Sequence, residues 1–151
     1  MQQTLIKTFG KLALVALFVS SAYGAPTWVQ ATDKVCVDNG GEIKEKICYS
    51  KWEEAKKICS ASEAQLPTMD ELRGVVLGCT GKLNERGPNQ NNVHYSKCYP
   101  KKGFTPYAYW SNEINAENRV EIHTIGFFYG SEYKDNKNHY NYIHCVASTK
   151  K

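Results

Sequence analysis

Hydrophobic and polar positions change rhythm several times along this chain, and each rhythm predicts an element. Val35, Cys36 and Val37, the turn-forming run Asp38-Asn39-Gly40-Gly41, and Ile43 to Tyr49 predict a β-hairpin. Ile43, Glu45 and Ile47 would share one face of its second strand, and Cys36 would oppose Cys48 near the open end. Ser50 then opens a predicted helix, because Ser50 and Glu53 have the spacing of a capping box. Trp52, Ala55 and Cys59 recur on one side of it, with Ile58 adjoining. Glu53, Glu54, Lys56 and Lys57 take the other side, where Glu53 and Lys57 form an i,i+4 pair. A second helix follows Leu66-Pro67: Thr68 and Glu71 repeat the capping box, and Leu72, Val75 and Val76 make its buried stripe up to Gly78.

From Thr80 to Pro106 the periodicity disappears. Gly81, Gly87, Pro88, Asn89, Asn91, Asn92, Pro100 and Gly103 predict a long irregular loop, of the kind that is pinned or functional in a compact domain. Strands return over 107–111, over 119–129, where Val120 and Ile122 alternate with Glu121 and His123, and over 140–147. Between the last two, residues 130–139 read as a polar, aromatic loop. The order of hairpin, two helices, loop and strands is α+β, and no internal repeat or second domain is apparent.

The N-terminus changes the picture. A basic stretch to Lys11, an apolar run over 12–19 and the small residues Ala22 and Gly24 predict a signal peptide over 1–24, leaving one domain over 25–151. The apolar run is too short to span a bilayer. No other apolar stretch is long enough, so no integral membrane segment is expected after cleavage. Removing Lys7 and Lys11 from the 19 basic residues leaves 17 against 15 acidic ones, which disfavours a nucleic-acid binder. Export also decides how the six cysteines are read. Cys36, Cys48, Cys59, Cys79, Cys98 and Cys145 all lie beyond the leader and include no CxxC pair, so an oxidising compartment predicts three disulfides rather than zinc or a catalytic thiol. Spacing alone leaves their pairing open.

Several of these residues form a familiar outline. Cys36-x11-Cys48-Tyr49, followed by Trp52-x-x-Ala55-x-x-x-Cys59 and a closing strand with Cys145, resembles the long form of C-type-lectin-like domains. Trp52-Glu53-Glu54-Ala55, Leu66-Pro67-Thr68-Met69-Asp70-Glu71-Leu72, Tyr109-Trp110-Ser111 and Cys145-Val146 resemble, in that order, the bacterial Lcl C-terminal domain family. The chain departs from that family at Ala64-Gln65, where Trp-Arg is frequent, and at His144, where Arg is frequent. The resemblance implies a C-type-lectin-like fold of two helices packed on small antiparallel sheets. It also implies the pairs Cys59–Cys145, Cys36–Cys48 and Cys79–Cys98, the first of which would contribute on the order of 4–5 kcal/mol and the others about 3 each.

Candidate chemistry is sparse. Gly87-Pro88-Asn89 is similar to part of a calcium-lectin triplet but lacks its carboxylate and precedes Tyr109-Trp110, so it reads as a turn. His94, His123, His139 and His144 have no ligand spacing, with His139 and His144 on opposite sides of a strand, so no metal is expected. No Gly-x-Ser-x-Gly elbow is present, and Glu53-Glu54 and Asp70-Glu71 are explained as first-turn acids of helices. No catalytic residue and no cofactor are therefore assigned. What remains is a binding surface. Eight of the ten tyrosines follow His94, and Tyr133, Lys134, Lys137, His139, Tyr140 and Tyr142 combine rigid aromatic area with positive charge. Lys97, Lys101 and Lys102 add charge in the long loop.

The expected function is that of a non-enzymatic binding module, exported to the periplasm, cell surface or medium. Adhesion to glycans, including sulfated or other anionic ones, is what the resemblance implies. The alternatives are an envelope, pilus or secretion-system assembly protein that binds another protein, and an exported inhibitor or toxin-like factor.

Overall fold

A computed structural model describes residues 24–148; the predicted leader, Gly24 apart, lies outside them. The chain is mixed α and β, with five helices and two sheets among the described residues. The small sheet has the order β1-β9-β4, from Trp28–Val29 (β1), Ala64–Gln65 (β4) and Cys145–Ala147 (β9). The large sheet has the order β2-β3-β8-β5-β6-β7, from Glu42–Lys44 (β2), Ile47–Ser50 (β3), Ala108–Ile114 (β5), Glu121–Gly126 (β6), Ser131–Asn136 (β7) and Asn141–Tyr142 (β8). All pairs are antiparallel except β5 with β8.

The chain opens differently from expectation. Residues 35–37 lie in helix α1, Asp33–Asp38, capped by the Thr32 hydroxyl, which accepts from the Val35 amide. Asn39 and Gly40 end that helix, Gly40 at φ +88°, instead of turning a hairpin. The hairpin is β2–β3, joined by Glu45 and Lys46, both at positive φ. This is the geometry of a tight two-residue turn, without the glycine that usually announces it.

Helix α2, Trp52–Ala61, has Lys51 at its N-cap position with no side-chain cap, and the Ser50–Glu53 box does not form. Ser50 is instead the last residue of β3, fully buried, with its hydroxyl donating to the Lys51 carbonyl. Glu53 pairs with Lys56 at 2.7 Å rather than with Lys57. Helix α3, Met69–Gly78, has the expected box: Thr68 Oγ1 accepts from the Glu71 amide, and Glu71 Oε2 accepts from the Thr68 amide.

The stretch 80–106 is not an irregular loop. It holds α4, Arg86–Gln90, and α5, Val93–Lys101, the latter capped by Asn92 and burying Tyr95 and Tyr99. Residues 131–136 of the expected polar loop form the edge strand β7. The expected closing strand is split at Ile143-His144, so that β8 belongs to one sheet and β9 to the other.

Alternation along β5 and β6 sends successive side chains to two cores. Trp110 and Ile122 join Trp52, Ala55, Ile58 and Cys59, whereas Tyr109 and Ile125 join Met69, Leu72, Val76 and Tyr95. The three bridges are Cys36–Cys48, Cys59–Cys145 and Cys79–Cys98, the pairs that the family resemblance implies. They tie α1 to β3, α2 to β9, and the end of α3 to α5. Three disulfides and no free cysteine fit an oxidising environment. Among the described residues no helix is long and apolar enough to cross a membrane.

Candidate functional site: an aromatic groove and a tyrosine ladder

Two small residues, Ala108 and Gly126, make the floor of an apolar cleft. Ala108 on β5 pairs in register with Gly126 on β6, so neither fills the space above the sheet. Pairing continues one step past the strand ends, with Phe127 N donating to Tyr107 O and Phe128 N to Pro106 O. This brings Tyr107 beside Phe128 and Tyr129, and β7 adds Tyr133 from the other side. The groove holds about 460 Å³. Tyr107, Phe128 and Tyr133 are 49%, 46% and 42% exposed, so their rings face solvent rather than the core.

The walls are held from behind. The Arg86 guanidinium stacks on Tyr129, 4.3 Å from its centroid. The buried Asn89 accepts from the Lys82 amide at 2.7 Å and donates to Tyr129 O at 2.6 Å. Gly130, at φ +61°, passes so close that a Cβ would lie 2.6 Å from Asn89 Nδ2. On the outer strand, Glu132 accepts from Arg73 Nε at 2.7 Å and from Asn84 Nδ2 at 2.8 Å. Burial alone would raise the Glu132 carboxyl, but these bonds outweigh it and hold it below its usual value.

From the groove a row of rings runs across the large sheet. Tyr107 stacks on Tyr142 at 5.4 Å and 9°, Tyr142 meets Tyr49 at 5.0 Å, and Tyr49 meets Tyr140 at 5.4 Å. Register explains the row, since Tyr142 pairs with Tyr49 on one side and Tyr109 on the other. At its far end Lys44 Nζ sits 4.9 Å from the Tyr49 centroid and Lys51 Nζ 5.9 Å from that of Tyr140. Neither lysine has a carboxylate partner among the described residues. Lys137 is close by, since its carbonyl accepts from the Trp52 amide next to Lys51.

The six residues expected to form one contact surface are thereby divided. Tyr133 lines the groove, and Tyr140 and Lys137 lie at the basic end of the ladder. Lys134 is exposed on β7 opposite His123. His139 turns back to Asp135, with Nδ1 2.7 Å from a carboxylate oxygen. Tyr142 departs from expectation: it is 3% exposed and packs inside the ladder, its hydroxyl pushed up to about 12 by burial. Tyr107, Phe128 and Tyr129 were not assigned to the site from sequence, nor were Lys44, Lys51 and Tyr49. Strand pairing between distant segments gathers them, and no local motif encodes it.

Among the described residues no group of three or more His, Cys, Asp and Glu side chains is placed to hold a metal. No protein-family model matches this chain, and neither does a curated protein or a solved structure.

Proposed function

We propose that this protein is an exported, non-enzymatic binding module that recognises anionic glycans, with a C-type-lectin-like fold. The observation that carries this reading is the continuity of open ring faces in the groove with a ladder ending in two unpaired ammonium groups. Aromatic faces pack against the apolar face of a sugar ring, and groove walls of Tyr and Phe lose little conformational freedom on doing so. Lys44 and Lys51, held over tyrosine rings, are preorganised for sulfate, phosphate or carboxylate substituents farther along the same glycan. The bridge from α2 to the final strand supports the lectin-like reading, and the three disulfides support an exported setting.

A glycan array followed by binding titrations across ionic strength tests this. Tyr133→Ala with Phe128→Ala is expected to weaken binding at least tenfold at every salt concentration. Lys44→Glu with Lys51→Glu is expected to weaken it mainly at low salt and to flatten the salt dependence. Unchanged binding in both double variants would overturn the site. Capture of a single envelope protein, with no glycan bound, would favour the assembly reading instead.

A further inference from the structure

The two residues between the sheets, Ile143 and His144, connect β8 to the central strand of the small sheet, and His144 is 5% exposed there. Its ring lies 4.7 Å from that of Phe104 and 5.2 Å from that of Trp28. The third side is main chain: a Cβ on Gly103 would come within 2.8 Å of His144 Cε1. Nδ1 is buried with no hydrogen-bond partner.

An imidazolium needs an acceptor for each of its two N–H groups, and a neighbour or water to offset its charge. This cage supplies no acceptor to Nδ1, and among the described residues no carboxylate is bonded to the ring. The flanking rings attract a cation, but they offer no acceptor. The charged groups near the cage lie on its rim. Strand β1 brings none. The end of α5 brings Lys101, its C-cap position brings Lys102, and α3 brings Asp70 and Glu71; of these Lys102, Asp70 and Glu71 line the groove beside Trp28. Cys145 is bridged. Burial therefore acts alone and holds the imidazole far below its ordinary range, at about 4.

Trp28 is one of only two residues in β1. That strand is fixed to β9 by the pairs Trp28–Val146 and Val29–Cys145 and by a bond from Ala147 N to Thr27 O. We propose that His144 is an acid-sensitive latch on the N-terminal strand: a proton on its ring expels the ring from the cage, frees Trp28, and releases β1. The rest of the fold stays closed, because the Cys59–Cys145 bridge holds β9 on α2. Release leaves β9 with an open edge, able to take a strand from another chain.

The sign follows from linkage. A released imidazole titrates near 6.5 and the caged one well below it, so the released state binds more protons between those values. Opening rises about tenfold for each pH unit lost in that window and levels off beneath it.

NMR of the full exported chain from pH 8 to 3.5 tests the latch. The expected result is that His144 stays neutral well below the 6.5 of an ordinary imidazole. Its titration should coincide with loss of the caged signals of the Trp28 indole and Val29 amide, while the Trp110 indole keeps its native shift. His144→Phe keeps an aromatic ring in the cage and is expected to retain the Trp28 signals through acid. Titration of His144 near 6.5 without movement of Trp28 would overturn the proposal. So would simultaneous loss of the Trp28 and Trp110 signals, or acid release persisting in His144→Phe. The wild-type titration decides the matter even where the variant does not fold.

Discussion

Trp52 and Trp110 clasp each other's strands. The Trp52 indole donates to the carbonyl of Ser111, next to Trp110, and the Trp110 indole donates to the carbonyl of Ser50, two residues before Trp52. Both bonds are 2.8 Å and buried, and they span 59 and 60 residues of sequence. They fasten the junction of β3 and α2 to the centre of the large sheet. They also explain why Ser50 stays in the strand instead of capping the helix.

Replacing one partner tests the clasp. Trp110→Phe keeps most of the apolar area but leaves the Ser50 carbonyl buried without a donor, at a cost of about 1–3 kcal/mol. Denaturant unfolding is expected to show this loss with an unchanged m-value. A loss below about 0.5 kcal/mol would mean that water replaces the indole.

The two box-like motifs are expected to respond in opposite ways. Thr68→Ala should destabilise by about 1 kcal/mol, because the first-turn amide of Glu71 loses its acceptor. Ser50→Ala removes no cap, so any cost should not depend on Glu53. A double-mutant cycle between Thr68 and Glu71 should show coupling, and the same cycle between Ser50 and Glu53 should show none.

The bridge between α2 and β9 closes a separation of 86 residues. Cys59→Ser with Cys145→Ser is expected to lose on the order of 4 kcal/mol, more than removal of Cys36–Cys48 or Cys79–Cys98, which close 12 and 19. Thermal unfolding of the three double variants checks the order. The ranking fails if either short bridge proves the more costly.

Lys134 has a second role open to test. On the outer side of β7 the Glu132 amide is covered by Asn84 Oδ1 and the Asn136 amide by Asp135 Oδ1, which leaves the backbone of Lys134 between them. A charged side chain at the centre of such an edge discourages strand pairing with another molecule. Lys134→Val is expected to leave the melting temperature within about 2 °C but to promote concentration-dependent association, read by light scattering. A variant that stays monomeric at millimolar concentration would remove this role.

Much of the architecture was legible wherever sequence and neighbourhood agree. The box at Thr68 works because nothing else competes for its hydroxyl. The identical pattern at Ser50 fails because tertiary contacts take that residue into a strand. Helix α5 carried a readable signal in Asn92, Tyr95 and Tyr99, a cap and an i,i+4 pair, but the glycines, prolines and asparagines around it masked the period. Val35 and Val37 read as strand through their β-branched side chains, and Thr32 and Asp33 overrule them with a cap and a first-turn acid. The candidate site was legible only in part. Tyr133 and Tyr140 stand in one aromatic segment, whereas Tyr107 meets Phe128 through a register that no local spacing announces.

Asn89 belongs to a Gly-Pro-Asn run that looks like a turn and touches no groove surface itself. Its amide does the work of a missing pair of strand bonds between residue 82 and residue 129. The orientation of the Tyr129 wall is thus set forty residues upstream, on helix α4. Changes of ligand preference in this protein can therefore arise by remote adjustment, with every residue that meets the ligand left untouched.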